Sequence, residues 1–191
     1  KMEAIGSDVP ANYPVALQGK TIAGYAVAIE NVATGRQTLN TELLTTLTET
    51  AAGMTNGTQT TDVLLTGLGD VAFKTTYEKW VGEHASASEN LSAWYIPTLS
   101  QLSAFMGTLF TMKDVPATGS EFEFVNGKMF DRETIATVNY ASSTINNQGN
   151  VSGVRINVAD GVVTNAQEAG ISVKTALNQQ ALCRPMITIF K

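Results

Sequence analysis

The stretch Ala93-Trp94-Tyr95-Ile96-Pro97-Thr98-Leu99-Ser100-Gln101-Leu102 constrains the fold more tightly than any other part of the chain. Pro97 bars Ile96 from the α region, so the aromatic run before it must be extended. Thr98 is a strong N-cap, and Gln101 three residues later completes a capping box. Leu99, Leu102, Phe105, Met106 and Leu109 then recur at helical spacing. An extended aromatic anchor therefore feeds a helix with one buried face.

The rest of the chain is read around that junction. Residues 24–30 form an expected strand with Tyr25, Val27 and Ile29 on one face. Leu39, Leu43, Leu44 and Leu47 predict a helix over 40–52, followed by a polar loop from Gly53 to Thr61 and a short apolar run, Asp62 to Leu65. A helix is expected over 70–82, with Phe73, Tyr77 and Trp80 as its buried stripe, and residues 83–92 read as a loop. Alternation on both sides of Asn126-Gly127 is a hairpin signal. Residues 138–145 read as strand or turn, 146–150 as a polar loop and 151–158 as a strand, with a second hairpin turning at Ala159-Asp160-Gly161. The closing strand runs from Leu182 to Phe190, and Pro185 inside it implies an edge position or a bulge. The order implies an α+β fold with a mostly antiparallel sheet. Residues 1–20, broken by Pro10, Pro14 and Gly19, read as a lead-in or linker, and 21–191 as one domain.

Composition narrows the function classes. Of the 191 residues 15% are charged and the net charge is −5, which leaves no basic footprint for nucleic acid or for anionic lipid. Apolar runs stay short of the roughly 18 residues that span a bilayer, so no membrane insertion of this chain is expected. Cys183 is the only cysteine, which excludes an internal disulfide and a cysteine-rich zinc site. Its neighbours Ala181, Leu182 and Met186 imply a buried, inert thiol. The string Gly67-Leu68-Gly69-Asp70-Val71-Ala72 mimics a dinucleotide fingerprint, but a ribose-binding acid does not follow it. It reads better as a glycine-rich turn with Asp70 capping the next helix.

The pairs Glu121/Glu123 and Asp131/Glu133 share strand faces, yet a hard-cation cage needs about six or more oxygens. No cofactor is expected, and calcium is the one metal these pairs would admit. His84, the only histidine, has just Ser86 and Ser88 beside it, and no carboxylate pair stands out at glycosidase spacing. No catalytic set emerges, and the chain is read as a non-enzyme. The amide cluster Asn146, Asn147, Gln148 and Asn150 is the candidate ligand-binding site, since amides present paired donors and acceptors to sugar hydroxyls or protein backbone.

Three segments carry a family resemblance. Trp94-Tyr95-Ile96-Pro97-Thr98 with Gln101-Leu102 resembles the W-x-L-P-[ST]-x-x-[EQ]-L segment of bacterial C-type-lectin-like domains. Asn139-Tyr140-Ala141-Ser142-Ser143-Thr144 is similar to their Y-W-S-S-T, and Cys183-Arg184-Pro185-Met186 to their terminal V-R-P-V strand. Such domains occur in Bacteroidetes surface proteins and at the C-terminus of legionella-type collagen-like proteins. The resemblance covers about residues 22–190 and departs at Ala141, where tryptophan is usual, and at an inserted hairpin around Asn126-Gly127. It implies a C-type-lectin-like fold with paired N- and C-terminal strands and two flanking helices. It further implies a binding or adhesion module, recognising glycan or protein, at the cell surface or outside the cell, outer-membrane-associated, with no signal segment in this stretch of sequence. Two alternatives belong beside that reading: a structural or assembly module of a pilus (fimbrium) or surface layer, and a retroelement-diversified receptor.

Overall fold

A computed structural model of the chain describes residues 3–11, 13–33, 35–39, 57–69, 71–111, 137–146, 148–157, 172–174, 177 and 180–191. In chain order these carry strand β1 (Ile22–Val27), strand β2 (Gln37–Thr38), helix α1 (Gly57–Leu68), helix α2 (Ala72–Glu83), helix α3 (Leu99–Thr111) and strands β3 (Thr137–Ile145), β4 (Val151–Asn157), β5 (Ser172–Lys174), β6 (Gln180–Ala181) and β7 (Met186–Phe190). The fold is mixed α+β, and every strand pair is antiparallel: β1 with β7, β2 with β6, and β4 between β3 and β5. The expected helix over 40–52, the Asn126-Gly127 hairpin, the turn at 159–161 and both acidic pairs lie outside the described residues.

The first and last strands pair along their length, from Ile22 opposite Phe190 to Val27 opposite Met186. The other side of β7 is also occupied. Residues 90–95 run antiparallel to it, with Ser92 N donating to Thr188 O (2.9 Å), Tyr95 N to Met186 O (2.8 Å) and Phe190 N to Asn90 O (2.9 Å). The closing strand is therefore central. Pro185 ends just before it, where its missing N–H interrupts no ladder, so the expected edge or bulge inside a Leu182–Phe190 strand is corrected. Ile29 is corrected too: β1 stops at Val27, Ala28 N donates to Pro185 O, and the Ile29 side chain is exposed.

Residues 3–11 and 13–20 pack onto this sheet. Asp8 forms a bridge with Thr21, and Val9 and Tyr13 join Ile22 and Phe190 in one buried cluster. The larger core lies beneath the helices. It gathers Leu64 and Leu68 of α1, Phe73 and Tyr77 of α2, Ile96, and Ala141, Ile145 and Val151 of the β3–β4 pair.

Helix α2 buries Phe73, Tyr77 and Trp80, as its spacing predicts. Helix α1 overturns the expectation of a polar loop to Thr61 with a separate apolar run after it. Its buried positions Gly57, Thr60, Thr61, Leu64, Gly67 and Leu68 make one stripe at three- and four-residue steps. Glycine and threonine fill four of its six positions, which hides it from a reading based on apolar periodicity. The glycines of the dinucleotide mimic fall at the end of this helix: Gly67 is buried inside it, and Gly69, at φ 63°, takes the left-handed conformation common after a helix. The fingerprint is thus a helix terminus, not a strand-to-helix turn. Asp70 lies outside the described residues, and Val71 holds the N-cap position of α2 without a side-chain cap. With α3, the described residues carry three α-helices, where the resemblance implies two flanking ones.

Candidate functional site

The three segments behind the resemblance meet in one buried hydrogen-bonded junction. Thr98 and Gln101 form the reciprocal box: Thr98 N donates to Gln101 Oε1 (3.0 Å) and Gln101 N to Thr98 Oγ1 (3.2 Å). Gln101 Nε2 then donates to the Tyr95 hydroxyl (2.9 Å), which meets Thr188 Oγ1 of β7 at 3.0 Å. The extended backbone at Ile96 is held from both sides. Thr61 Oγ1 accepts from Ile96 N (2.8 Å) and donates to Ile96 O (3.1 Å), while Ser143 Oγ donates to that same carbonyl at 2.8 Å. Thr60 Oγ1 meets Ser143 Oγ at 2.5 Å. Ser143 N donates to Pro97 O (2.9 Å) and Leu99 N to Thr144 Oγ1 (2.9 Å). Ser142-Ser143-Thr144 is therefore the clamp on the Ile96-Pro97 junction.

The terminal segment is equally structural. Cys183 is buried in the main core, and burial pushes its thiol up, away from the thiolate that a nucleophile needs. The Arg184 side chain is buried, with Nε donating to Asn31 Oδ1 (2.8 Å) and Nη1 to Ala28 O (3.2 Å), and burial lowers its pKa. It fastens the chain leaving β1 to the segment that precedes β7. Ala141 is fully buried, and its N–H donates to Leu182 O (2.9 Å). That small side chain sits in the core where the resemblance has tryptophan.

Four tyrosines, spread over both buried clusters and the junction, keep neutral hydroxyls in the fold. Burial raises the pKa of Tyr95 to about 12 and moves Tyr13, Tyr25 and Tyr77 upward as well. A folded pKa above the unfolded value contributes stability that is complete below the unfolded value, about 10, and is lost as pH rises through the folded one. The fold is therefore expected to lose stability above about pH 10, by up to roughly 1.4 kcal/mol per pH unit for each fully buried tyrosine and by less for the half-buried, solvent-screened Tyr25. Stopped-flow absorbance at 295 nm should show tyrosine ionisation keeping pace with unfolding. Rapid ionisation ahead of unfolding would contradict this.

The four amides of the predicted site take different parts. Asn146 and Asn150 close the turn from β3 to β4, with Asn146 N donating to Asn150 O (2.9 Å). Asn146 Oδ1 accepts from Gln148 N (2.9 Å) and Asn150 N (3.0 Å), and its backbone carbonyl accepts from Gly149 N (3.0 Å). Asn146 is the scaffold of the turn. Gly149 turns the chain at φ 77°, the Gln148 side chain is exposed, Asn150 is half-buried, and Asn147 lies outside the described residues. The structure thus brings Asn146, Gln148 and Asn150 together on one hairpin tip.

A second cluster was missed by the sequence reading. Trp80 and His84 stand four residues apart at the end of α2 and stack at 4.1 Å and 14°. Trp94 meets Trp80 edge-on at 5.2 Å and 76°. His84 Nδ1 lies 2.8 Å from Trp80 O, and Trp94 Nε1 donates to His84 O (2.8 Å). The i, i+4 spacing of Trp80 and His84 is the signal that could have found the pair had the helix been extended past residue 82, and the approach of Trp94 has no such signal. Among the described residues no group of three His, Cys, Asp or Glu side chains is placed to hold a metal, and no helix is long and apolar enough to cross a membrane. Comparison with protein-family models, with curated proteins and with solved structures finds no match to this chain.

Proposed function

We propose that this chain is a C-type-lectin-like binding module of a bacterial cell-surface or secreted protein, non-enzymatic, recognising glycan or protein with the β3–β4 turn as its contact surface. The observation that carries the reading is the convergence of Trp94–Gln101, Ser142–Thr144 and Met186, at the start of β7, on one buried junction, beneath paired first and last strands. Those are the segments that resemble the family. The side chains that would serve hydrolytic chemistry have structural tasks. Ser142 Oγ donates to Ser152 O (2.7 Å), Ser143 holds Ile96, Cys183 is in the core and His84 Nδ1 is engaged at the end of α2.

The division of labour in the turn sets the test. The chain is presented to a glycan array with and without calcium, and bound glycans are re-measured with variants. Gln148→Ala removes an exposed side chain and is expected to weaken binding about tenfold, the loss typical of a contact residue, with Tm unchanged. Asn146→Ala is expected to lower Tm and binding together, because it removes the acceptor for two backbone N–H groups. Array binding indifferent to Gln148→Ala and Asn150→Ala would remove the turn from the contact surface. A blank array would sink the sugar branch.

A further inference from the structure

The chain enters and leaves the central sheet at neighbouring points. Thr21, just before β1, and Lys191, just past β7, exchange both backbone bonds, Thr21 N donating to Lys191 O (2.8 Å) and Lys191 N to Thr21 O (2.9 Å). On the other side of Thr21 lies Asp8, its partner in an antiparallel bridge. Around that bridge Gly6 N donates to Ile22 O (2.7 Å), Ile22 N to Ser7 O (2.9 Å) and Val9 N to Lys20 O (2.9 Å). Asp8, Thr21 and Lys191 thus stand in one row across three strands, about 10 Å from end to end. The other end of the β1–β7 pair is about 20 Å away along the strands. There Val27 faces Met186, and Ala28 N donates to Pro185 O (2.9 Å).

The direction of a load decides how such a pair yields. Antiparallel hydrogen bonds lie perpendicular to the strands. A pull along the strands loads all the bonds together. A pull across them, applied at one end, loads the end pair alone and peels the rest in turn. Forced unfolding is set by the unfolding barrier, which is lower when bonds break singly. We propose that the β1–β7 pair is a tension-released latch: load carried between residues 3 and 191 crosses the row at Thr21 and peels β7 out of the sheet. Residues 3–9 do not shield it, because load on Glu3 also meets the bonds of residues 6–9 from one end. The buried cluster of Val9, Tyr13, Ile22 and Phe190 sits at the loaded end and is the catch. Once it yields, Phe190 N leaves Asn90 O, Thr188 leaves Ser92 and the Tyr95 hydroxyl, and Met186 leaves the Tyr95 backbone. Tyr95 holds Gln101, and its neighbour Ile96 holds Ser143 of β3. Tension at the chain ends is thereby coupled to the buried junction and to the hairpin that carries the β3–β4 turn. The latch does not depend on which ligand the chain binds.

Optical tweezers compare two directions of pull on the full chain. One places handles on Lys1 and Lys191. The other places them on Lys191 and on Ile29→Cys, an exposed position past the end of β1, with Cys183 buried out of reach of the thiol label. Load between 29 and 191 draws β1 and β7 along their axes in opposite senses. The peak force between the chain ends is expected to be at most about half of that between 29 and 191 at the same pulling speed. It should fall in a rip of roughly 600 Å, the extended length of residues 21–191. Should Ile29→Cys depart from the parental far-UV circular dichroism, Glu30→Cys takes its place. Equal forces in the two directions, or a higher force between the chain ends, would overturn the proposal. So would a short step confined to the last strand with the rest of the chain still holding load, because release would then stop before the junction.

Discussion

Ile96→Ala is expected to lower the free energy of unfolding by about 2–5 kcal/mol, the range for truncating a buried isoleucine. The upper half of that range is favoured by the site. Ile96 is fully buried in the main core between α1 and β3, and its backbone is fixed by Thr61 and Ser143. A residue held at both its N–H and its C=O cannot shift to close the cavity that its side chain leaves, so the lost contacts are not recovered. Ile96→Val keeps most of the volume and is expected to cost only about 0.5–1.5 kcal/mol. Urea denaturation followed by tryptophan emission measures both, and Trp94 is only two residues away. Equal costs for valine and alanine would mean that the junction relaxes freely, against the clamp described above.

The second large effect is steric. Gly153→Ala would place a Cβ against the carbonyl oxygen of Tyr140 and the Cδ1 of Leu177, and 3.2 Å from the Tyr140 carbonyl carbon. Tyr140 precedes Ala141, the partner of Gly153 across the β3–β4 ladder, and is fully buried, so the obstacle is backbone that cannot rotate away. Overpacking a tight site costs about 1–3 kcal/mol and occasionally more. A loss at or above about 3 kcal/mol is expected here, visible as a large fall in the urea midpoint. Gly24→Ala in β1 is the matched control. Nothing lies within 4 Å of its Cβ position, and a change within about 1 kcal/mol is expected. If both alanines behaved alike, the close approach of β3 and β4 would be refuted.

What could be read from the sequence was whatever local bonds decide. The box of Thr98 and Gln101 spans three residues and closes on itself, so its residue types announce it. The stripe of α2 was legible because Phe73, Tyr77 and Trp80 are unambiguous apolar residues at helical steps. Helix α1 was not, because its buried face is made of Gly57, Thr60 and Thr61, whose place is set by distant partners. A Cβ at Gly57 would overlap the Tyr95 ring, and Thr61 is there to serve Ile96. Tertiary bonds override a weak helix propensity at that point. The end of β1 was misjudged for the same reason, since its register with β7 stops at Val27 whatever the residue at position 29 favours.

The candidate sites divide in the same way. Amide-rich composition marked 146–150, but only the fold shows that Asn146 holds the turn while Gln148 stands in solvent. At the other cluster, the i, i+4 spacing of Trp80 and His84 is a local fact, whereas Trp94 reaches them through a loop that sequence spacing leaves undetermined.

The position of β7 bears on how a cell makes this protein. Its two flanking partners are translated long before it: β1 about 160 residues earlier and the 90–95 segment about 90 residues earlier. Until Phe190 has left the ribosome, both must wait with open hydrogen-bonding edges, while residues between them fill the exit path. Contacts so far apart in sequence make for slow folding and a long interval of exposure to aggregation. Nascent chains stalled just short of Met186 should therefore be protease-sensitive in the first thirty residues, and resistance there should arrive abruptly once the last strand emerges.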